Sequence, residues 1–267
     1  MANNKGELRK FIQKAPAEPG VYFFKDKSGK SIYIGKALNL KNRVKQYFDK
    51  KIQGPFLSHL LNESYKIDFK TTNSEIEALI LESQLIKKFQ PKYNIMLRDD
   101  KQYFYVVFTK EKFPKIFLTH QPLALPFEAL AKEGPFTDGT ALKTTMRLLR
   151  KIFPYCTCKQ KHNNFCLNYH IGKCLGFCCL KENQNSKIKS YKKNIKALKD
   201  ILSGKKNSLT KRLKKELNKL GKEEKFEEAI ELKNKIEKLE RVFENAKIIN
   251  QNPEFIEGQI YANTTNT

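Results

Sequence analysis

The sequence has no apolar run near the ~18 residues that a membrane-spanning helix needs. Its first residues, MANNKGELRK, lack the apolar core of a secretory signal. These absences point to a cytoplasmic protein with reduced thiols and no membrane partner. There is no internal repeat, and nothing in the chain resembles an element that reads base edges. Acidic residues are scarce: 28 Asp and Glu stand against 52 Lys and Arg, a formal charge of +24 over 267 residues. An excess of that size favours a polyanionic partner, nucleic acid before others, although a lysine-rich surface alone accounts for part of it. Cysteine is absent outside residues 156–179, where all six occur. In a reducing compartment such clustering argues for metal or an iron–sulfur cluster over disulfides.

What is present is a set of strong local signals. PGVYFFK, DKSGK and SIYIG read as strand, turn and strand. NLKNRVKQYF follows as a helix with Asn39 as its N-cap. KIDFKTT is a third strand. A helix is predicted from Ser74 to about Phe89, opened by the S-x-x-E spacing of Ser74 and Glu77 and stopped by Pro91. YFYVVFTK and PKIFLTH read as a second strand pair, and ALKTTMRLLRKIF as a helix leading into the cysteines. From Asn207 to about Asn245, two amphipathic helices flank GKEEK. Leu209, Leu213, Leu217 and Leu220 stripe the first; Phe226, Ala229, Ile230, Ile236, Leu239 and Phe243 stripe the second.

The stretch YIGKALNLKNRVKQYF, residues 33–48, crowds phenols, amines and a guanidinium around one glycine. Side chains alternate along a strand, so Tyr22 shares a face with Phe24, and Tyr33 with Gly35. Arg43 and Tyr47, four apart on a helix, share a face. Tyr22, Tyr33, Lys36, Arg43 and Tyr47 can therefore converge. On the following helix Glu82 falls among Leu79, Ile86 and Phe89. An acid on an apolar face needs a partner or a cation. The bland alternatives are a salt bridge from Glu82 to Lys36 or Arg43, and tyrosines that serve only as core.

These motifs resemble the UvrC family of nucleotide excision repair nucleases. GVY, YIGKALNLKNRVKQYF, ILESQLIKKF and PKYN, between Pro16 and Asn94, match its GIY-YIG nuclease domain. The likeness continues through GPF at 134–136, NFCLNYHIGKCLGFC and the helical hairpin, whose LKKELNKLGKEEKFEEAIELKNKIEKL resembles a UVR motif. The resemblance implies an α+β fold. A small nuclease domain with a mixed sheet flanked by helices comes first, then a Cys-rich metal-binding segment and a helical hairpin.

By the same resemblance, Tyr22 takes part in proton abstraction from the attacking water, and Tyr33 supports the site. Arg43 steadies the scissile phosphate, Lys36 and Tyr47 line the site, Asn94 supports it, and Glu82 is the single ligand for Mg2+ or Mn2+. Cys158, Cys166, Cys174 and Cys178 are the implied ligands of a 4Fe-4S cluster, with Cys156 competing for the first place and Cys179 surplus. Four thiolates alone suit zinc as well, and spacing does not choose. The implied partners are damaged double-stranded DNA and UvrB, the latter through the hairpin.

The expected division is 1–100 nuclease, 101–153 connecting region, 154–182 cysteine segment, 183–204 helical linker, 205–245 hairpin and 246–267 loose tail. No second (5′) nuclease is recognised after the hairpin, a layout similar to the Cho-type repair nuclease. The expected activity is therefore metal-dependent hydrolysis of the strand on the 3′ side of a lesion. The rival readings are a non-cutting module that binds UvrB and DNA, and a truncated UvrC.

Overall fold

The computed structural model describes residues 4–49, 54–96, 103–120, 129–158, 163–179 and 187–248. In chain order the elements are α1 (Asn4–Gln13), β1 (Gly20–Lys25), β2 (Ser31–Ala37), α2 (Leu40–Gln46), α3 (Pro55–Glu63), β3 (Lys66–Thr71), α4 (Glu75–Phe89) and α5 (Lys92–Met96). There follow β4 (Phe104–Thr109), β5 (Ile116–Thr119), β6 (Ala129–Phe136), α6 (Gly139–Ile152), α7 (Leu167–His170), α8 (Ile188–Leu202), α9 (Lys206–Lys222) and α10 (Phe226–Ile248). The fold is α+β, as expected. The loose tail expected from residue 246 lies, from residue 249 onward, outside the described residues.

The first hairpin is closed by Asp26, whose Oδ1 accepts from the N–H groups of Ser28 (2.9 Å) and Lys30 (3.0 Å), while Gly29 supplies a positive φ of 82°. The sheet order is β2-β1-β3, with both pairings antiparallel. This corrects the expected mixed sheet. β3 runs in the direction of β2, as a helical crossover through α2 and α3 allows. The crossover, however, carries it past β2 to the far edge of β1, so no parallel neighbours arise. A second antiparallel sheet, β5-β4-β6, follows. Its edge strand β6, reading ALAKEGPF, carries little β-propensity and is not expected from the sequence.

α4 lies between the two sheets and is capped at both ends. Ser74 Oγ accepts from the Glu77 N–H (3.2 Å), and Glu77 Oε2 accepts from Asn73 N–H (3.0 Å), so the capping box closes one residue upstream of Ser74. Gln90, at φ 45°, ends the helix before Pro91. One side of α4 packs Ile86 with Val21 and Ile34 of the first sheet. Its other side sends Ile76, Leu79 and Ile80 into a larger core with Val106, Phe108 and Phe136. Phe89, expected on the apolar face beside Glu82, is instead 47% exposed as the last residue of α4.

The α9–α10 hairpin belongs to that larger core. Leu209, Leu213, Ile236, Leu239 and Phe243 are buried against the chain's own α6 and α8 layer. Lys206 Nζ binds the Glu77 carboxylate of α4 at 2.8 Å and lies 4.1 Å from the centre of the Phe243 ring. Among the described side chains of the hairpin, the exposed large apolar ones lie at its far end: Phe226 is 63% and Ile230 59% exposed. Most of the stripe is thus satisfied within the chain, and the hairpin has a reason to fold without a second protein.

Candidate active site

The backbone register builds the site. Tyr22 of β1 pairs with Gly35 of β2, and Phe24 with Tyr33. Because Gly35 has no side chain, the Tyr22 ring lies across it. A Cβ there would stand 2.4 Å from the Tyr22 hydroxyl oxygen, inside any tolerated contact. Tyr22 Oη is 2.7 Å from Tyr47 Oη at the C-terminal end of α2. The Arg43 guanidinium lies 5.5 Å from the Tyr47 ring centre, and its Nη1 donates to Gln46 Oε1 at 3.1 Å. Burial, and then the Tyr47 phenol, hold the Tyr22 phenol well above its ordinary value of 10, against the opposing pull of Arg43. Burial likewise raises Tyr33. Tyr22 therefore remains a neutral phenol at neutral pH.

Glu82 is 2% exposed on α4. Its partners differ from the salt bridge considered above. Oε1 accepts the backbone N–H of Lys36 at 2.8 Å, and Oε2 accepts the Thr137 hydroxyl at 2.7 Å. The Lys36 ammonium is turned elsewhere, to Glu75 (3.1 Å) and Asp138 (2.9 Å). Burial pushes the Glu82 carboxyl up to about 7, although the Thr137 hydrogen bond and Lys36 act to lower it.

A carboxylate has about four acceptor positions, and these two bonds leave one on each oxygen. Glu82 lines a cavity of about 510 Å³ together with Tyr22, Tyr33, Gly35, Lys36, Arg43 and Asn94, and with Tyr103, Thr137, Asp138 and Gly139. The donor set fits a hard divalent cation: one buried carboxylate with spare lone pairs in a polar cavity that has room for water.

The structure therefore brings together six of the seven residues expected at the site around the cavity, with Tyr47 one hydrogen bond behind Tyr22. Asn94 faces inward, but its amide is spent on the sheet: Oδ1 accepts from Ile34 N–H (2.8 Å) and Nδ2 donates to Ile34 O (2.9 Å). It clamps β2 to α5. Tyr103 donates to the Asn94 carbonyl at 3.0 Å. His59 is an exposed residue of α3 and lies outside the cavity lining. Sequence reasoning missed Tyr103, Thr137 and Asp138. The last two directly follow GPF, and Asp138 just before ALKTTM is a readable N-cap signal.

Gly35→Ala is expected to displace the Tyr22 hydroxyl and lower the activity of the site by about 100-fold, with the fold retained. Unchanged turnover in G35A would show that the position of Tyr22 is immaterial.

The cysteines form a second centre. The thiols of Cys156, Cys158 and Cys178 lie within 4.8 Å of one another, and so do those of Cys166, Cys174 and Cys178. Cys178 is common to both triads and lies 3.5 Å from Cys166, sulfur to sulfur. Cys156 hydrogen-bonds Cys174, which raises the Cys156 thiol and lowers the Cys174 thiol. Five thiols thus form two triads joined at Cys178, and Cys156 and Cys158 belong to the same one. Cys179 lies outside both triads, 3.6 Å from the Asn163 carbonyl. The set fits a soft, thiolate-bound metal or cluster.

Two family models match the chain: the UvrC-like GIY-YIG domain over residues 18–95 and the UvrC/Cho excinuclease middle domain over residues 103–201. The chain belongs to the UvrC family. It is 37% identical over 248 residues to the UvrABC system protein C of Caldicellulosiruptor saccharolyticus, covering 91% of this chain and 41% of that protein. Against the protein of the same name from Clostridioides difficile it is 39% identical over 251 residues, covering 91% and 40%. The chain therefore spans about two fifths of the length of the curated relatives it matches. It also resembles the solved GIY-YIG N-terminal endonuclease domain of UvrC from Thermotoga maritima, at 46% identity over 33% of this chain and 94% of that one, with a TM-score of 0.31. No helix among the described residues of this UvrC-family chain is long and apolar enough to cross a membrane.

Proposed function

We propose that this chain is a divalent-metal-dependent DNA endonuclease of nucleotide excision repair, which nicks damaged duplex on the 3′ side of a lesion when UvrB is in place. The observation that carries the reading is the buried Glu82 carboxylate, with spare lone pairs, in one cavity with the Tyr22 phenol and the Arg43 guanidinium. Residues 1–100 act as the nuclease, 154–182 as a cluster-holding segment, and 205–245 as the hairpin that meets UvrB. The bare Phe226 and Ile230 at the hairpin end support that last assignment.

A Mg2+ or Mn2+ ion held by Glu82 would supply Lewis-acid polarisation of the phosphate and stabilise the leaving oxygen. The rest falls to the chain. Arg43 sets fixed positive charge beside the phosphate, where the transition state gains negative charge. Tyr22 Oη accepts the proton of the attacking water as its own proton passes to Tyr47 Oη, and the half-buried Tyr47 releases its phenol proton to solvent. The 2.7 Å contact supports this relay, and the raised pKa argues against a standing phenolate. Tyr33 and Lys36 shape the wall, and Asn94 holds β2 in place. The cysteine centre is assigned a structural 4Fe-4S cluster, with Cys166, Cys174, Cys178 and either Cys158 or Cys156 as ligands; zinc is the alternative.

The test is a duplex carrying one bulky lesion, labelled on the damaged strand, incubated with UvrA, UvrB, ATP, magnesium and this chain. A single nick 3′ of the lesion is expected. Tyr22→Phe should lower its rate by about 100-fold or more while DNA binding persists, and Tyr47→Phe should have a smaller effect. A chain captured on DNA by UvrB that never cuts would instead favour a binding module. A Tyr22→Phe enzyme with normal rates would remove the relay.

A further inference from the structure

The junction between β6 and α6 is two residues long, Thr137 and Asp138, and both reach the nuclease cavity. Thr137 Oγ1 donates to Glu82 Oε2 at 2.7 Å, and Asp138 Oδ2 lies 2.9 Å from Lys36 Nζ. The junction is pinned on both sides. Phe136 before it is fully buried, and a Cβ on Gly139 after it would meet the Phe104 ring at 2.1 Å. Asp138 also caps α6, its Oδ1 accepting from Ala141 N–H at 2.9 Å. Among the described residues, only Lys36 N–H and the Thr137 hydroxyl hydrogen-bond the Glu82 carboxylate.

We infer that Thr137 and Asp138, which lie outside the segment matched by the GIY-YIG model, are positioning residues of the nuclease site. Thr137 fixes the rotation of the Glu82 carboxylate, so that its remaining lone pairs face the cavity. Asp138, together with Glu75, holds the Lys36 ammonium away from Glu82, so that the carboxylate stays available to a cation. The nuclease site is then completed from the second sheet, and residues 18–95 do not hold all of it. This inference rests on the reading of the cavity as a metal-dependent nuclease site.

The test is Mn2+ binding to the full 267-residue chain at pH 8, followed by calorimetry and by the loss of the free-ion EPR signal. Thr137→Val keeps the shape and loses the hydroxyl. It is expected to weaken Mn2+ binding about 10-fold, with Thr137→Ser restoring it to within about twofold. Asp138→Asn keeps the helix cap and loses the charge. It should weaken Mn2+ binding several-fold by releasing Lys36 toward Glu82, and adding Lys36→Met should reverse that loss.

Far-UV circular dichroism and melting identify any variant that fails to fold. Thr137→Ala then serves as the second hydroxyl-free variant. Mn2+ binding by T137V or T137A within about twofold of wild type, while Glu82→Gln abolishes it, would overturn the inference and leave the nuclease reading standing. Absence of any Glu82-dependent Mn2+ binding in the wild-type chain would overturn both.

Discussion

Glu82→Gln is expected to do two opposite things: abolish nicking and stabilise the metal-free protein above neutral pH. The first effect should be about 1,000-fold or more, since one carboxylate carries the cation in this site. The second follows from burial. The folded-state pKa of Glu82 is raised from 4.5 to about 7. Its protonation therefore favours the folded state below pH 4.5, and that contribution is lost as the pH rises through about 7.

At pH 8 the metal-free protein holds an ionised carboxylate in a buried position, an unfavourable state. Glutamine removes the charge, and its carbonyl oxygen can still accept the Lys36 N–H. Metal-free E82Q should thus melt several degrees above wild type at pH 8, with the gain gone by pH 5. Saturating Mg2+ should reverse the order at pH 8, because only the wild type gains from binding. Melting curves at two pH values, with and without Mg2+, read all of this. An E82Q protein that cuts normally, or that melts below the metal-free wild type at pH 8, would end the assignment of Glu82 as the buried metal-holding carboxylate.

Cys178→Ser is expected to strip the second centre and to lower the melting temperature by roughly 10 °C or more, because metal-binding free energy is folding free energy in such segments. Cys178 is the thiol shared by both triads. The segment around it is stitched between β5 and α8. Ile116 N–H donates to the Cys156 carbonyl (3.3 Å), Cys156 N–H donates to Tyr191 Oη (3.1 Å), and Phe177 packs against Phe113 and Tyr191. Loss of the bound group would leave several buried thiols facing one another with nothing between them. Cys179→Ser, outside both triads, should keep the wild-type metal content. The measurements are iron and zinc analysis, absorbance near ~400 nm for an iron–sulfur centre, and thermal melting. Wild-type metal content in C178S would refute the assignment of Cys178.

Much of this was legible in the sequence because it is local. The Asp26 turn, the Asn39 and Ser74 caps and the stripes of α9 and α10 each depend on residues within one or two turns of one another. The convergence of Tyr22, Tyr33, Lys36 and Arg43 was equally readable, since strand alternation and helix period set it. What escaped was non-local or chemically plain. Thr137 stands 55 residues from Glu82, so no periodicity links them. β6 lacks the β-branched run that marks a strand, and holds its place by pairing with β4. PFLSHLLNE, which forms α3, has a Pro at its start but no side-chain cap to announce it. The hairpin's cover was also hidden, because an apolar stripe does not say whether its own chain or another will lie on it.

The two-sided packing of α4 bears on where this chain can be cut. A fragment ending near residue 96 would keep all three strands of the first sheet and the whole of α4. It would also bare Ile76, Leu79 and Ile80, which the second sheet now covers. At about 25 cal/mol per Å² of apolar surface, three such side chains make an adhesive patch of several kcal/mol. Fragments made for biochemistry would then self-associate through that patch, and concentration-dependent behaviour in them would reflect the missing second sheet and not a property of the intact chain.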